Sequence, residues 1–219
     1  MITVSFPRSN ANVRALLAGL VEHNLLESFH TTVNFEPQDL LVKMASPQLR
    51  GQLLRRSFGI PQQLIHTYPA AELLRIASER FNFPLMKRFQ GGKAVDDTCS
   101  LLDAAVAKYL TTNKKSADSE PSAVYCYEDS ALLSFRSAKD VGIQTFYELT
   151  IPYWQTVHKI VKTEAERRPE WAFTMMALSD DLDKTVRKTE ELQLAETVIC
   201  ISEFVKRSIP AELAVNKRL

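Results

Sequence analysis

A chain of 219 residues, 45% hydrophobic and with only 6 glycines, can bury one large core or two small ones and is too aliphatic for a disordered segment. Its formal net charge of +1 excludes reliance on overall charge to bind nucleic acid, although residues 1 to 95 hold 11 Lys and Arg against 6 Asp and Glu. The three cysteines, Cys99, Cys126 and Cys200, show no CxxC or His-paired spacing and read as buried thiols of a reducing compartment. No apolar run approaches the roughly 20 residues a bilayer demands, and Met1 leads directly into a strand pattern, so the expected location is the cytoplasm, at most peripheral to a membrane.

Ile2 to Phe6 is a β-rich run ended by Pro7, and the cap-type residues Ser9 to Asn12 precede Val13, Leu16, Leu17, Leu20 and Val21 at helical spacing. The unit repeats: a strand over His30 to Phe35, an amphipathic helix over Leu49 to Phe58, a strand over Leu64 to Tyr68, and a helix over Ala70 to Phe81 with Leu73, Leu74, Ile76 and Ala77 inward. A helix from about Thr98 to Leu110 leads into the polar stretch 111 to 121, expected to be an exposed loop. Ala123 to Tyr127 reads as a strand, Ser130 to Val141 as a helix stopped by Gly142, and Ile143 to Leu149 as the next strand. Helices over Tyr153 to Arg168 and Asp181 to Ala195, a strand over Thr197 to Ile201 and a helix over Glu203 to Ile209 complete the series. Strands alternating with helices predict a single α/β domain over residues 1 to 219, with a Rossmann-like, mostly parallel sheet covered by helices on both faces.

Ligands of such sheets bind beyond the carboxyl ends of strands, which singles out residues by position. Arg8, Ser9, Asn10 and Asn12 follow the first strand, and Tyr153, Ser202 and Glu203 follow later ones, as candidate substrate-binding residues. The turn Pro7 to Asn12 has no glycine, so it lacks the GxGxxG approach to a pyrophosphate, which argues against a dinucleotide cofactor there. Gly91-Gly92-Lys93 has neither the upstream glycine nor the Ser or Thr of a phosphate-binding loop. Glu128 and Asp129 stand after a strand, where a carboxylate can deprotonate or bind a sugar hydroxyl, and Glu148 stands likewise after the next; these are the catalytic candidates. Asp129 or Ser130 serves equally as a helix cap, and Trp154 either stacks on a sugar ring or packs in the core.

His23, His30, His66 and His158 show no metal-binding spacing, and no metal site is assigned. The charge-rich run Asp180 to Glu191 reads as a solvated helix face with pairs such as Asp183 with Arg187. Arg50, Arg55 and Arg56 beside Leu49, Leu53, Leu54 and Phe58, with Lys87 and Arg88 further on, fit either an ordinary surface helix or contact with an anionic membrane.

The run from Tyr125 (YCYEDSALLSFRSAK), then Gly142 to Leu149, Tyr153-Trp154, Glu164 to Trp171, Lys188 to Ala195 and Val198 to Val205, resembles the N-terminal domain of family 4 retaining glycosyltransferases. Leu25 to Thr31 and Leu53 to Arg56 resemble its opening half, so the similarity covers most of the chain. The resemblance implies one half of a GT-B architecture: the acceptor on this domain, the nucleotide-sugar donor on a second domain across a cleft, and no required metal. Two departures stand out: the Gly-rich loop common after the family's first strand is absent, and Glu128 or Glu148 stands where many members place a histidine. The family's paired-glutamate donor motif lies in the second domain, and the residues to Leu219 contain none. The chain alone is therefore expected to bind no cofactor and transfer no sugar without a donor-binding domain in cis or in trans. The alternative is a non-catalytic sugar, lipid or protein-binding module derived from that domain.

Overall fold

The computed structural model describes residues 1–81, 91–112 and 122–219. Six strands form one sheet: β1 (Ile2–Ser5), β2 (Leu26–Thr31), β3 (Ile65–Thr67), β4 (Ala123–Tyr127), β5 (Gln144–Leu149) and β6 (Thr197–Cys200). Their order is β3-β2-β1-β4-β5-β6 and every ladder is parallel, the doubly wound Rossmann arrangement with its reversal between β1 and β4. Between them run α1 (Ala11–Glu22), α2 (Leu40–Met44), α3 (Pro47–Leu54), α4 (Ala70–Phe81), α5 (Gly91–Thr112), α6 (Leu132–Val141), α7 (Trp154–Arg167) and α8 (Leu182–Leu194), and α9 (Glu203–Ser208) and α10 (Ala211–Ala214) follow β6.

The period of two along β4 sends its side chains to two cores. Val124 and Cys126 join Leu102 and Val106 of α5, Phe135 of α6 and Leu192 of α8 on one face. Tyr125 and Tyr127 join Val13 and Leu17 of α1, with Val4 and Phe29, on the other. Burying a side chain of the size of Phe135, which is 0% exposed, stabilises the fold by about 2–3 kcal/mol. α1 starts where Asn10 accepts a hydrogen bond from Val13 N (2.8 Å), as its cap-type residues predict. α6 ends in a Schellman motif: Gly142 has φ 79°, Ile143 N donates to Ala138 O (2.8 Å) and Gly142 N to Lys139 O (3.3 Å).

Several elements depart from the expected bounds. The second strand lies at Leu26–Thr31 rather than His30 to Phe35, because its partner β1 gives only four ladder residues before Pro7 and the pairing runs from Ile2↔Leu26 to Ser5↔His30. The helix expected over Leu49 to Phe58 is α3, Pro47–Leu54, started by Ser46 accepting from Leu49 N. Leu73 and Leu74 point outward at 46% and 43% exposure, while Glu72 is buried between Arg56 (2.6 Å) and Arg75 (2.8 Å). Burial alone would raise the Glu72 carboxyl pKa, but hydrogen bonds from the two arginines outweigh it and the net shift is downward. Thr111 and Thr112 belong to α5 rather than to a loop, and 113–121 lie outside the described residues. Cys99 and Cys126 are buried free thiols, and Cys200 is only partly buried.

Candidate functional site

Two concavities open along the carboxyl edge of the sheet, one on each side of the β1/β4 reversal. The larger, about 830 Å3, lies beyond β4 and β5, and its walls include Asp129, Trp154, His158, Asp180, Lys184 and Arg187. β4 delivers Asp129 through a tight turn at φ 73°, a left-handed conformation that an aspartate tolerates better than most residues. The loop after β5 delivers Ile151 and Trp154, and α8 supplies Lys184, Arg187 and Lys188.

Neither Asp129 nor Ser130 caps α6; carboxylates from other helices do so. Asp103 of α5 accepts from Leu133 N (2.7 Å) and Ser134 N (2.8 Å). Glu191 of α8 accepts from Asp129 N (2.9 Å), Ala131 N (3.1 Å) and the Tyr147 hydroxyl (3.1 Å). Glu191 is wholly buried, and burial pushes its carboxyl up to about 8 against the pull of those backbone donors. The turn that aims Asp129 is therefore fixed by a side chain 62 residues further along the chain.

Behind Asp129 sits a charge cluster centred on Lys188, whose side chain is 6% exposed. Its Nζ lies 3.4 Å from Asp180, 3.7 Å from Glu128 and 3.9 Å from Asp129. Arg187 reaches Asp129 at 3.4 Å, and Lys184 pairs with Asp180 (2.9 Å) and Asp96 (3.1 Å). Burial pushes the Glu128 carboxyl up to about 7; Lys188 opposes the rise and Asp129 adds to it. α8 is thus no solvated face: it turns Thr185, Lys188, Glu191 and Leu192 inward and leaves Leu182 and Val186 exposed, and Arg187 pairs with Asp129 rather than Asp183.

The other expected residues are distributed as follows. Glu148 is buried and does not line the cleft; its carboxylate accepts from the Tyr125 hydroxyl (2.5 Å) in the core that packs against α1, and burial followed by that bond raises the pKa of Tyr125. Tyr153 is 2% exposed, with its hydroxyl 2.7 Å from Thr189 Oγ1; Trp154, whose indole donates to the same oxygen (3.0 Å), is the aromatic residue on the cleft wall. Ser202 caps α9 through Val205 N (3.2 Å), and Glu203 is an exposed first-turn residue of α9; neither lines the cleft. Asn10 caps α1 and Asn12 lies exposed in its first turn.

Arg8 and Ser9 line the second concavity, beyond β1, together with Arg55 and Arg56. Arg50 is exposed on α3, outside that concavity, and Lys87 and Arg88 lie outside the described residues. Sequence reasoning missed Lys184, Lys188, Glu191 and Asp103. The available signal was the spacing of Thr185, Lys188 and Leu192, three and four residues apart on one helical face.

Among the described residues, no three His, Cys, Asp or Glu side chains gather to hold a metal ion. Chemically, the cleft offers carboxylates that accept from hydroxyl groups, cations that donate to them, and an indole for an apolar sugar face.

No protein-family model and no curated protein matches the chain. Solved structures that are similar to it include TcCGT1 in complex with UDP, at 14% identity and a TM-score of 0.48, over 91% of this chain and 43% of that one. Another is Arabidopsis thaliana UGT89C1 complexed with UDP-L-rhamnose, at 16% identity and a TM-score of 0.48, over 99% of this chain and 50% of that one. The chain spans half the length or less of these proteins. Among its described residues, no helix is long and apolar enough to cross a membrane.

Proposed function

We propose that this chain is the acceptor-side half of a two-domain glycosyltransferase of the retaining, family 4 type, and that the cleft beyond β4 and β5 holds a carbohydrate acceptor. The observation that carries this reading is the composition of that cleft. One aromatic face, Trp154, stands among hydroxyl-binding groups of both charges, Asp129, Asp180, Lys184 and Arg187, at the carboxyl end of a doubly wound sheet. The first βα turn, with no glycine, argues against a dinucleotide in the same place, and the sequence resemblance running from Tyr125 to Val205 points the same way. The donor nucleotide-sugar then belongs to a second domain, in cis or in trans. Asp129, one of several aspartates lining the cleft and the one delivered by the end of β4, is the carboxylate assigned to an acceptor hydroxyl. Glu128 stands behind it, its carboxyl pushed up to about 7 by burial, 3.7 Å from Lys188.

A second reading, a non-catalytic sugar, lipid or protein-binding module, is favoured by one feature: Glu148 and Glu128 both have internal partners, in Tyr125 and Lys188. Thermal shift of the purified chain separates these readings from a cofactor enzyme. Oligosaccharide acceptors should raise Tm, whereas NAD, FAD and nucleotide-sugars alone should leave it unchanged; stabilisation by a dinucleotide would sink both. Sugar transfer after addition of a donor domain, lost in Asp129→Asn, decides for the enzyme; acceptor binding without transfer decides for the module.

A further inference from the structure

Two adjoining hollows beyond the carboxyl end of β1 share Ser9 and Arg55. The first, about 430 Å3, is walled by Arg8, Arg55 and Arg56 with Gln52; the second, about 550 Å3, adds Arg14. Among the described residues no aspartate or glutamate lines either one. The acids nearby are engaged elsewhere: Glu72 pairs with Arg56 and Arg75, and Glu36 accepts from Ser57 Oγ and Asn34 Nδ2, both at 3.2 Å. Arg8, Arg14 and Arg55 make no ion pair with a carboxylate among the described residues, and Arg14 donates to Ser9 Oγ at 2.6 Å.

Guanidinium groups gathered in one concavity repel unless an anion bridges them, and their planar forks match the oxygens of a phosphate. α1, a helix of 12 residues, starts beside the hollow and adds the partial positive charge of its N-terminus. We propose that the two adjoining hollows walled by Arg8, Arg14, Arg55 and Arg56 together bind a phosphate-type oxyanion. Resting on the glycosyltransferase reading, that oxyanion belongs to the acceptor, whose sugar extends toward the cleft beyond the neighbouring strand β4. Such a phosphate has two sources, a soluble sugar phosphate or a lipid headgroup. The second is relevant because Leu40, Leu41 and Met44 of α2 stand 70–77% exposed beside Lys43, next to α3, which forms part of the hollow's wall.

The test is calorimetric titration of the 219-residue chain with pyrophosphate at low salt, repeated with Arg8→Ala/Arg55→Ala, with Arg8→Lys/Arg55→Lys and with Arg50→Ala. Arg50 is exposed on α3 and lines neither hollow. Affinity should fall roughly tenfold or more in the double alanine variant, less in the lysine variant, and stay within about twofold in Arg50→Ala. An unchanged Tm for the exposed Arg8 and Arg55 variants keeps a folding defect apart from a binding one. Co-sedimentation with phosphatidylglycerol vesicles but not phosphatidylcholine vesicles, abolished in Arg8→Ala/Arg55→Ala, assigns the phosphate to a lipid. Binding of a sugar phosphate with no vesicle binding assigns it to a soluble acceptor. No pyrophosphate binding, or equal losses in Arg50→Ala and the double variant, overturns the proposal. Neutral oligosaccharides titrated in parallel separate the two conclusions: their binding without pyrophosphate binding leaves the acceptor cleft standing and removes the anion site, and the reverse keeps the anion site and removes the sugar reading.

Discussion

Beyond β4 and β5, Lys184, Arg187 and Lys188 each lie within 4.0 Å of at least one carboxylate, whereas beyond β1, among the described residues, only Arg56 of the four arginines has such a partner. The difference follows from burial. Lys188 at 6% exposure is too costly to keep charged without counter-ions, so Glu128, Asp129 and Asp180 gather round it and the cluster stiffens one wall of the cleft. Arg8, Arg14 and Arg55 are exposed, keep their hydration, and leave a positive field directed at solvent. One concavity has its buried cations balanced by ion pairs within the fold; the other leaves Arg8, Arg14 and Arg55 without such partners among the described residues.

Breaking the balanced side should have the largest effect. Lys188→Met leaves Glu128, Asp129 and Asp180 facing one another without their central cation and should destabilise the fold by about 3–5 kcal/mol, read from urea unfolding. A loss below about 1 kcal/mol would mean that the cluster is not coupled to folding. The same cluster predicts a pH dependence. The folded state holds a proton on Glu128 up to about pH 7 and on Glu191 up to about pH 8, while the unfolded chain releases both near 4.5. The folded state therefore binds more protons in that window, and stability falls as pH rises through these folded-state values. His30 works in the opposite sense lower down. Burial and then its stacked neighbour His66 push its imidazole down to about 3 from 6.5, so its contribution is lost as pH falls below about 6.5. Unfolding measured between pH 6.5 and 8 should therefore show a decline on the order of 1 kcal/mol, shallower in Glu128→Gln; a rise with pH would contradict the assignment. The smallest effect belongs to the unbalanced side: Arg55→Ala should change stability by no more than about 0.5 kcal/mol, since it removes repulsion rather than a pair. A larger loss in thermal unfolding would reveal a carboxylate partner and remove the contrast between the two concavities.

Local signals carried much of the fold. Asn10 ahead of Val13 and Gly142 after Val141 fixed two helix ends, and the strand-helix-strand run from Ala123 to Leu149 was legible because each element has its own period and its own stop. The second strand was misplaced by four residues at each end, since nothing local in Leu26 to Phe35 reports that β1 runs out at Pro7. α8 was read inside out for a related reason. Lys188 and Glu191 are charged, and no helical pattern within 182–194 announces that Glu128 and the α6 turn wait to pair with them.

By itself the sequence determined that strands and helices alternate, that the turn after β1 lacks the glycines of a dinucleotide fingerprint, and that Glu128 and Asp129 follow a strand. These are properties of neighbouring residues, set by backbone sterics, capping and hydrophobic period. Only the tertiary structure decided that Asp129 faces a cleft while Glu148 is tied to Tyr125, that Glu191 holds the turn from 60 residues away, and that four arginines from Arg8 to Arg56 gather round two adjoining hollows. Those outcomes depend on the order in which parallel strands assemble. That order brings distant charges together, and the cost of burying them unpaired selects their partners.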